Sequence, residues 1–348
     1  MDPFARIEKR PRRISRMRLP GFVPVTTASF LFVGYAHAAA PQLVWPPPPD
    51  EPRIAYVQSI SQPADAGVKA SMLHRLSNWI LGAREEGESL SRPSGIALDE
   101  AGDFCVTDTG ANAVCFFDQA AKHWYRWEQI GGIRFASPVA VAKKGKTLYV
   151  ADSALAAIIV FDLEGNLLFR ITEGLTRPTG LAISGDRLLV ADAARHCISI
   201  FDLHGKFLSS FGARGAGEGQ FNFPTHVTAD SRGNIYVTDS MNSRVQVFDA
   251  KGSFERPIGG PGDGPGTFSR PKGVAVDDSG RAYVVDAMFG NVQIFDSAGQ
   301  LLLDFGHPGA GPGEFWLPNG IAFGRDNRIY VADSYNGRVQ VFKYVGKQ

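Results

Sequence analysis

Runs of four to six residues rich in Val, Ile, Tyr and Phe recur along the chain, punctuated by Gly, Asp, Asn and Pro. In Val245–Asp249, the residues Val245, Val247 and Asp249 alternate with Gln246 and Phe248. A period of two over so short a run, bounded by turn formers, predicts antiparallel strands. One segment differs. Within 68–82, Leu73, Leu76, Ile80 and Leu81 share one side at helical spacing, with Trp79 beside them. That predicts a short helix.

The strand runs come in blocks. They begin RPSGIALD at Arg92, SPVAVA at Ser137, RPTGLAIS at Arg177, FPTHVTAD at Phe223, RPKGVAVD at Arg270 and LPNGIAFG at Leu317. Their prolines are 45, 40, 46, 47 and 47 residues apart. A second run in each block ends on Asp108, Asp152, Asp192, Asp239, Asp286 or Asp333. A third run and a weaker fourth, such as FLSSFG (Phe207–Gly212), follow. Four short strands per repeat of this length make one propeller blade. The chain is therefore expected to be all-β, a propeller of six four-stranded antiparallel blades over 90–342. The last repeat lacks a fourth strand, and RIAYVQSIS (53–61) has no repeat of its own. That segment is expected to close the ring as the missing outer strand, removing two exposed edges. The whole propeller is expected over 53–348, with the helix of 68–82 before blade one.

Composition sharpens this picture. A chain of 348 residues suggests two domains on length alone, but six repeats make one ring. The 39 Gly and 24 Phe suit tight loops and aromatic-rich strands. Three Cys exclude a disulfide-built scaffold. The net charge of +1 hides an asymmetry. Residues 1–20 hold seven basic and two acidic side chains, followed by the nearly uncharged GFVPVTTASFLFV and by small residues at Ala36 and Ala38. This order reads as a secretory signal over 1–38, whose apolar run is too short to span a membrane. Without it the chain keeps 29 basic and 33 acidic residues, a net −4. An exported, acidic protein, periplasmic or extracellular, is a poor nucleic-acid binder. Residues 39–52, with Pro46–Pro49, read as an extended spacer. A monomer without a transmembrane segment is expected after cleavage.

The R-P-x-G-[IVL]-A, YV-x-D-S and N-x-R-V-Q-V-F-D runs resemble NHL repeats, which build six-bladed propellers. Asn242–Phe248 and Asn336–Phe342 carry the fullest match, and the signal, WPPPP segment and extra strand resemble exported bacterial members. The resemblance implies several functions: zinc lyases of hydroxyglycine-extended peptides, related calcium lactonases, RNA or protein binders, and ligand sensors. Fold does not choose among them.

The residues after each Pro are expected to ring the channel mouth: Ser94, Val139, Thr179, Thr225, Lys272 and Asn319. None is His, as the resemblance to the zinc lyases would require in more than one blade. His226 and Asn319 remain the weak metal candidates, and Lys272 opposes a cation there. No cofactor is expected, and the balance leans away from an enzyme. Arg92, Arg177 and Arg270 precede their prolines in alternate blades. With Lys272 they could form a rim for a carboxylate or phosphate. The plainer expectation is that each Arg pairs with a neighbouring Asp. Leu155, Met288, Phe289 and Trp316 fall in loops of the same face, where they mark an apolar patch or pack between blades. The repeated Asp is expected to bond loop N–H groups. Cys105 and Cys115 are candidates for a cross-strand disulfide. The functional expectation is a scaffold that binds a protein, peptide or small anionic ligand on its loop-bearing face. The alternative is a lyase or lactonase at His226 and Asn319.

Overall fold

The computed structural model describes residues 43–68, 89–99 and 101–346. The signal expected over 1–38 lies outside the described residues. So does the helix expected over 68–82, apart from Val68. Among the described residues the only helical elements are 3-10 turns.

Six four-stranded antiparallel units form the ring. Strand a opens each blade: Pro93–Leu98, Pro138–Lys144, Pro178–Ser184, Pro224–Ala229, Pro271–Val276 and, shorter, Ile321–Phe323. Strand b follows as Phe104–Asp108, Thr147–Asp152, Arg187–Asp192, Ile235–Asp239, Ala282–Asp286 and Arg328–Asp333. Strand c is Ala113–Asp118, Ala157–Asp162, Cys197–Asp202, Arg244–Phe248, Asn291–Phe295 and Arg338–Tyr344. The outer strand d is His123–Trp127, Leu167–Ile171, Phe207–Phe211, Phe254–Ile258 and Leu301–Phe305. In blade six it is Ile54–Ile60, which pairs antiparallel with Arg338–Tyr344 and closes the ring.

The core is six apolar wedges, one at each blade boundary. In Thr147–Asp152, Leu148 and Val150 pack toward blade one while Tyr149 and Ala151 pack toward blade three. Both faces of strands b and c are thus buried, and their sequences are apolar at nearly every position. The alternation in Val245–Phe248 separates two neighbours rather than inside from outside. Val245 and Val247 face blade five, and Phe248 faces blade three. Strand c carries a buried Phe near its end in every blade: Phe117, Phe161, Phe201, Phe248, Phe295 and Phe342. Burying each contributes roughly 1.5–3 kcal/mol.

Residues 39–52 are more than a spacer where they are described. Val44–Trp45 pairs with Ile54–Ala55 as a fifth strand of blade six. Trp45 lies 5.8 Å from both Phe305 and Phe342, so its indole covers the apolar end of the last wedge. Pro-rich composition signalled an extended backbone, and the aromatic beside it anchors that backbone.

Cys105 and Cys115 form no disulfide, and all three cysteines are free and buried. Cys105 pairs with Phe116, and Cys115 with Val106, so the two cysteines are one register step apart. Successive strand residues point to opposite faces. Cys105 therefore packs toward blade two and Cys115 toward blade six. Burial raises both thiols, Cys115 to about 12, which leaves them unreactive packing groups.

Candidate functional site

The Asp that ends each strand b builds the loop-bearing face. Asp192 accepts the backbone N–H of Arg177 at 3.0 Å, and Asp286 accepts that of Ser269 at 2.7 Å and Arg270 at 3.2 Å. Asp108 accepts Ser91 at 2.7 Å and Arg92 at 2.8 Å. These carboxylates are fully buried, and they fix the loop that leads into each Pro. In blades four and six the N-x-R-V-Q run adds a clamp. Arg244 Nε donates to Asp239 at 2.9 Å and Arg338 Nε to Asp333 at 2.7 Å, while Asn242 and Asn336 bond the same carboxylates. Gln246 and Gln340 reach back to the preceding Gly-rich loop. The motif is structural, holding inter-blade loops against buried charge.

On this frame the six residues after the prolines line one cavity of about 480 Å³ at the channel mouth. Ser94, Val139, Thr179, Thr225, Lys272 and Asn319 share it with Arg177, Arg270 and His226. Below it the inner strands close to a waist. A Cβ on Gly95 would lie 2.7 Å from the Ala140 backbone, and one on Gly180 would lie 2.8 Å from the His226 backbone. Only Gly fits at these two positions. His226 is the large exception. It lines both this cavity and the narrower one of about 300 Å³ beneath, and so forms the floor between them.

The cavity is cationic. Among the described residues no Asp or Glu lines it. Burial lowers the Lys272 amine below its ordinary range, and the like charges of Arg270 and Arg177 lower it further. Among the described residues none of these three side chains forms an ion pair. The expected pairing of Arg177 and Arg270 with Asp is corrected here. The carboxylates take the backbone N–H groups and leave the guanidinium groups unpaired. Arg92 goes elsewhere, with its guanidinium 4.8 Å from the Tyr335 ring centre and outside the cavity lining.

Three polar atoms of the cavity lack partners: Thr225 Oγ1, His226 Nδ1 and Asn319 Oδ1. His226 is held near pKa 3, first by burial and then by Lys272, so its ring is neutral. Asn319 Nδ2 donates to Ser94 Oγ at 3.0 Å, joining blade six to blade one. Among the described residues no group of three or more His, Cys, Asp or Glu could hold a metal ion. The zinc and calcium sites that the resemblance implies need such a set, and the residues present do not fit them.

Three of the four apolar candidates are exposed rather than packed between blades. Met288 is 59% and Trp316 56% exposed, Leu155 is exposed, and Phe289 is half-buried. Trp316 lies 5.8 Å from Tyr335. Phe223 and Met241 also line the mouth and were missed in sequence. The signal was available. Phe223 precedes its Pro as the three arginines do, and Met241 follows its strand-b Asp as Met288 does.

Comparisons with known proteins agree with this architecture. The NHL repeat model matches residues 90–117, 175–201 and 315–342, and a 6-bladed beta-propeller model matches 226–288. None of the curated proteins matches the sequence. Among solved structures, a streptogramin B lyase is 14% identical, with a TM-score of 0.56 over 73% of this chain and 94% of its own. A virginiamycin B lyase from Staphylococcus aureus is 13% identical, with a TM-score of 0.54 over 73% and 96%. A Bacteroides thetaiotaomicron protein of unknown function is 15% identical, with a TM-score of 0.57 over 84% and 75%. At these identities the likeness is one of fold.

Proposed function

The chain is an NHL-repeat six-bladed β-propeller, and we propose that it is an exported binding protein that captures a small anionic ligand at its channel mouth. One observation carries this reading. The cavity gathers Lys272, Arg177 and Arg270 on residues whose neighbours include unpartnered polar atoms, with no carboxylate among its described walls. Lys272 is half-buried beside the exposed Arg177 and Arg270, and like charges gathered without a counter-ion repel one another, a cost that an arriving anion relieves. Carboxylates and phosphates suit guanidinium and ammonium donors alike. Met241 and Phe223, which line the cavity, would contact whatever body the anion carries, including a peptide. The basic leader and the acidic remainder of the sequence support a role outside the cytoplasm and argue against nucleic acid. Among the described residues no helix is long and apolar enough to cross a membrane.

Isothermal titration of the purified protein against small carboxylates and phosphomonoesters tests the reading. Binding that weakens with salt is expected, and silence across the panel would overturn it. The rival reading, a lyase or lactonase at His226 and Asn319, has the unpartnered His226 imidazole in its favour. Stoichiometric zinc or calcium in the purified protein, lost together with activity in His226→Ala or Asn319→Ala, would favour that rival.

A further inference from the structure

The cavity holds unpaired acceptors as well as cations, and this narrows the ligand. Ser94 Oγ donates to the Val139 carbonyl at 3.0 Å. Its only hydrogen is thereby used, so toward Asn319 it can act only as acceptor. Asn319 must then present Nδ2 to Ser94, which fixes the amide orientation and leaves Oδ1 as its unpartnered end, on a residue that lines the cavity. That oxygen is buried and has no donor. A buried carbonyl oxygen without a donor costs about 1–3 kcal/mol, and a ligand donor would recover it. Thr225 Oγ1 and His226 Nδ1 are buried and unpartnered in the same cavity. A neutral imidazole nitrogen or a hydroxyl pairs well with an O–H. These groups span blades four and six, while the cations come from blades three and five. A bare anion would satisfy the cations and leave Asn319 Oδ1 wanting. A ligand bearing an ammonium group would meet Lys272 and two arginines.

We propose that the channel mouth of this propeller binds a small hydroxylated organic anion. Its carboxylate or phosphate sits against Lys272, Arg177 and Arg270, and its hydroxyl groups donate to Asn319 Oδ1 and meet Thr225 and His226. This rests on the anion-binding reading above and adds the chemical class of the ligand.

Two matched pairs of probes test it by isothermal titration: gluconate against hexanoate, and glycerol 3-phosphate against propyl phosphate. The hydroxylated member of at least one pair is expected to bind about tenfold tighter or more. The pair that shows the difference identifies the anionic group as carboxylate or phosphate. Asn319→Ala and Thr225→Val should each shrink that ratio. Thr225→Val keeps the side-chain shape, so it serves where Asn319→Ala disturbs the contact with Ser94, and thermal melting confirms that each variant is folded. Equal binding within both pairs would overturn the hydroxylated-ligand inference and leave the anion reading standing. Failure of all four probes to bind would overturn both.

Discussion

At one end of the channel Lys143 Nζ donates to Asp99 at 2.7 Å and to the Gly145 carbonyl at 2.7 Å. At the other end Lys272 is also withdrawn from water, yet its charged neighbours are Arg270 and Arg177. Both lysines belong to strand a. The end with Lys143 opens on a cavity of about 730 Å³ lined by Leu98, Asp99, Val276, Asp278 and Phe323, where both signs of charge are present. The end with Lys272 opens on about 480 Å³ with one sign only. The same inner strands thus finish in two ways. Where a charge is matched inside the protein it serves stability, and where it is left unmatched it is available to a ligand.

The sharpest way to break this contrast is to neutralise each lysine. Lys272→Met should weaken binding of the tightest anion probe on the order of 100-fold, as removal of a partly buried charged partner does. Its melting temperature should hold or rise, because a like-charge repulsion disappears with the amine. A clear fall in melting temperature with binding intact would show that Lys272 is a structural residue.

Lys143→Met should do the reverse. It strands Asp99, whose side chain is 18% exposed, and should destabilise the fold by about 2 kcal/mol. Anion binding at the far end should not change. Equilibrium unfolding in urea and titration of the same sample would measure both effects. A binding loss here would mean that the two mouths communicate.

Much of this contrast was legible in the sequence, and the illegible part has physical causes. Repeats carry their own alignment, so the position after each Pro identified the ring from Ser94 to Asn319 before any coordinate. The buried Asp series was equally readable, because six copies in six blades imply one shared task. Side-chain direction was not. Arg92 and Arg177 occupy the same repeat position, but Tyr335 lies within reach of Arg92 alone and draws it out of the cavity. Register was not legible either. A single residue of slip separates Cys105 and Cys115 onto opposite faces, and no local pattern reveals it where both faces are apolar. Trp45 escaped for a third reason, since its partners Phe305 and Phe342 lie 260 and 297 residues away in sequence.

A smaller effect separates the mouths by pH. His226 titrates near 3 in the folded chain and at its ordinary 6.5 when unfolded. Between those values the unfolded state binds more protons, so this residue makes stability rise with pH and fall on acidification. Asp162, Asp202, Asp249 and Glu314, whose carboxyls are lowered chiefly by hydrogen bonds, push in the same direction as acid is added. The difference between proteins is therefore the useful quantity. Stability lost between about pH 7 and pH 4 should be smaller in His226→Gln than in the parent. An identical loss would show that the floor of the site carries no buried imidazole.

The smallest expected effect concerns the rim. Trp316 and Met288 are more than half exposed, and among the described aromatic residues the Trp316 ring meets only the exposed Tyr335. Substitution of either by Ala removes little buried surface, so stability should move by no more than about 0.5 kcal/mol. Phe342→Ala, whose ring touches Trp45, Tyr56, Phe305 and Phe315 inside the last wedge, should cost about 3–5 kcal/mol under the same conditions. The two aromatics thus bracket what apolar residues do in this fold. If Trp316→Ala approached the cost of Phe342→Ala, the rim would be part of the core. Its aromatic and thioether groups would then be unavailable to the body of a ligand seated on Lys272.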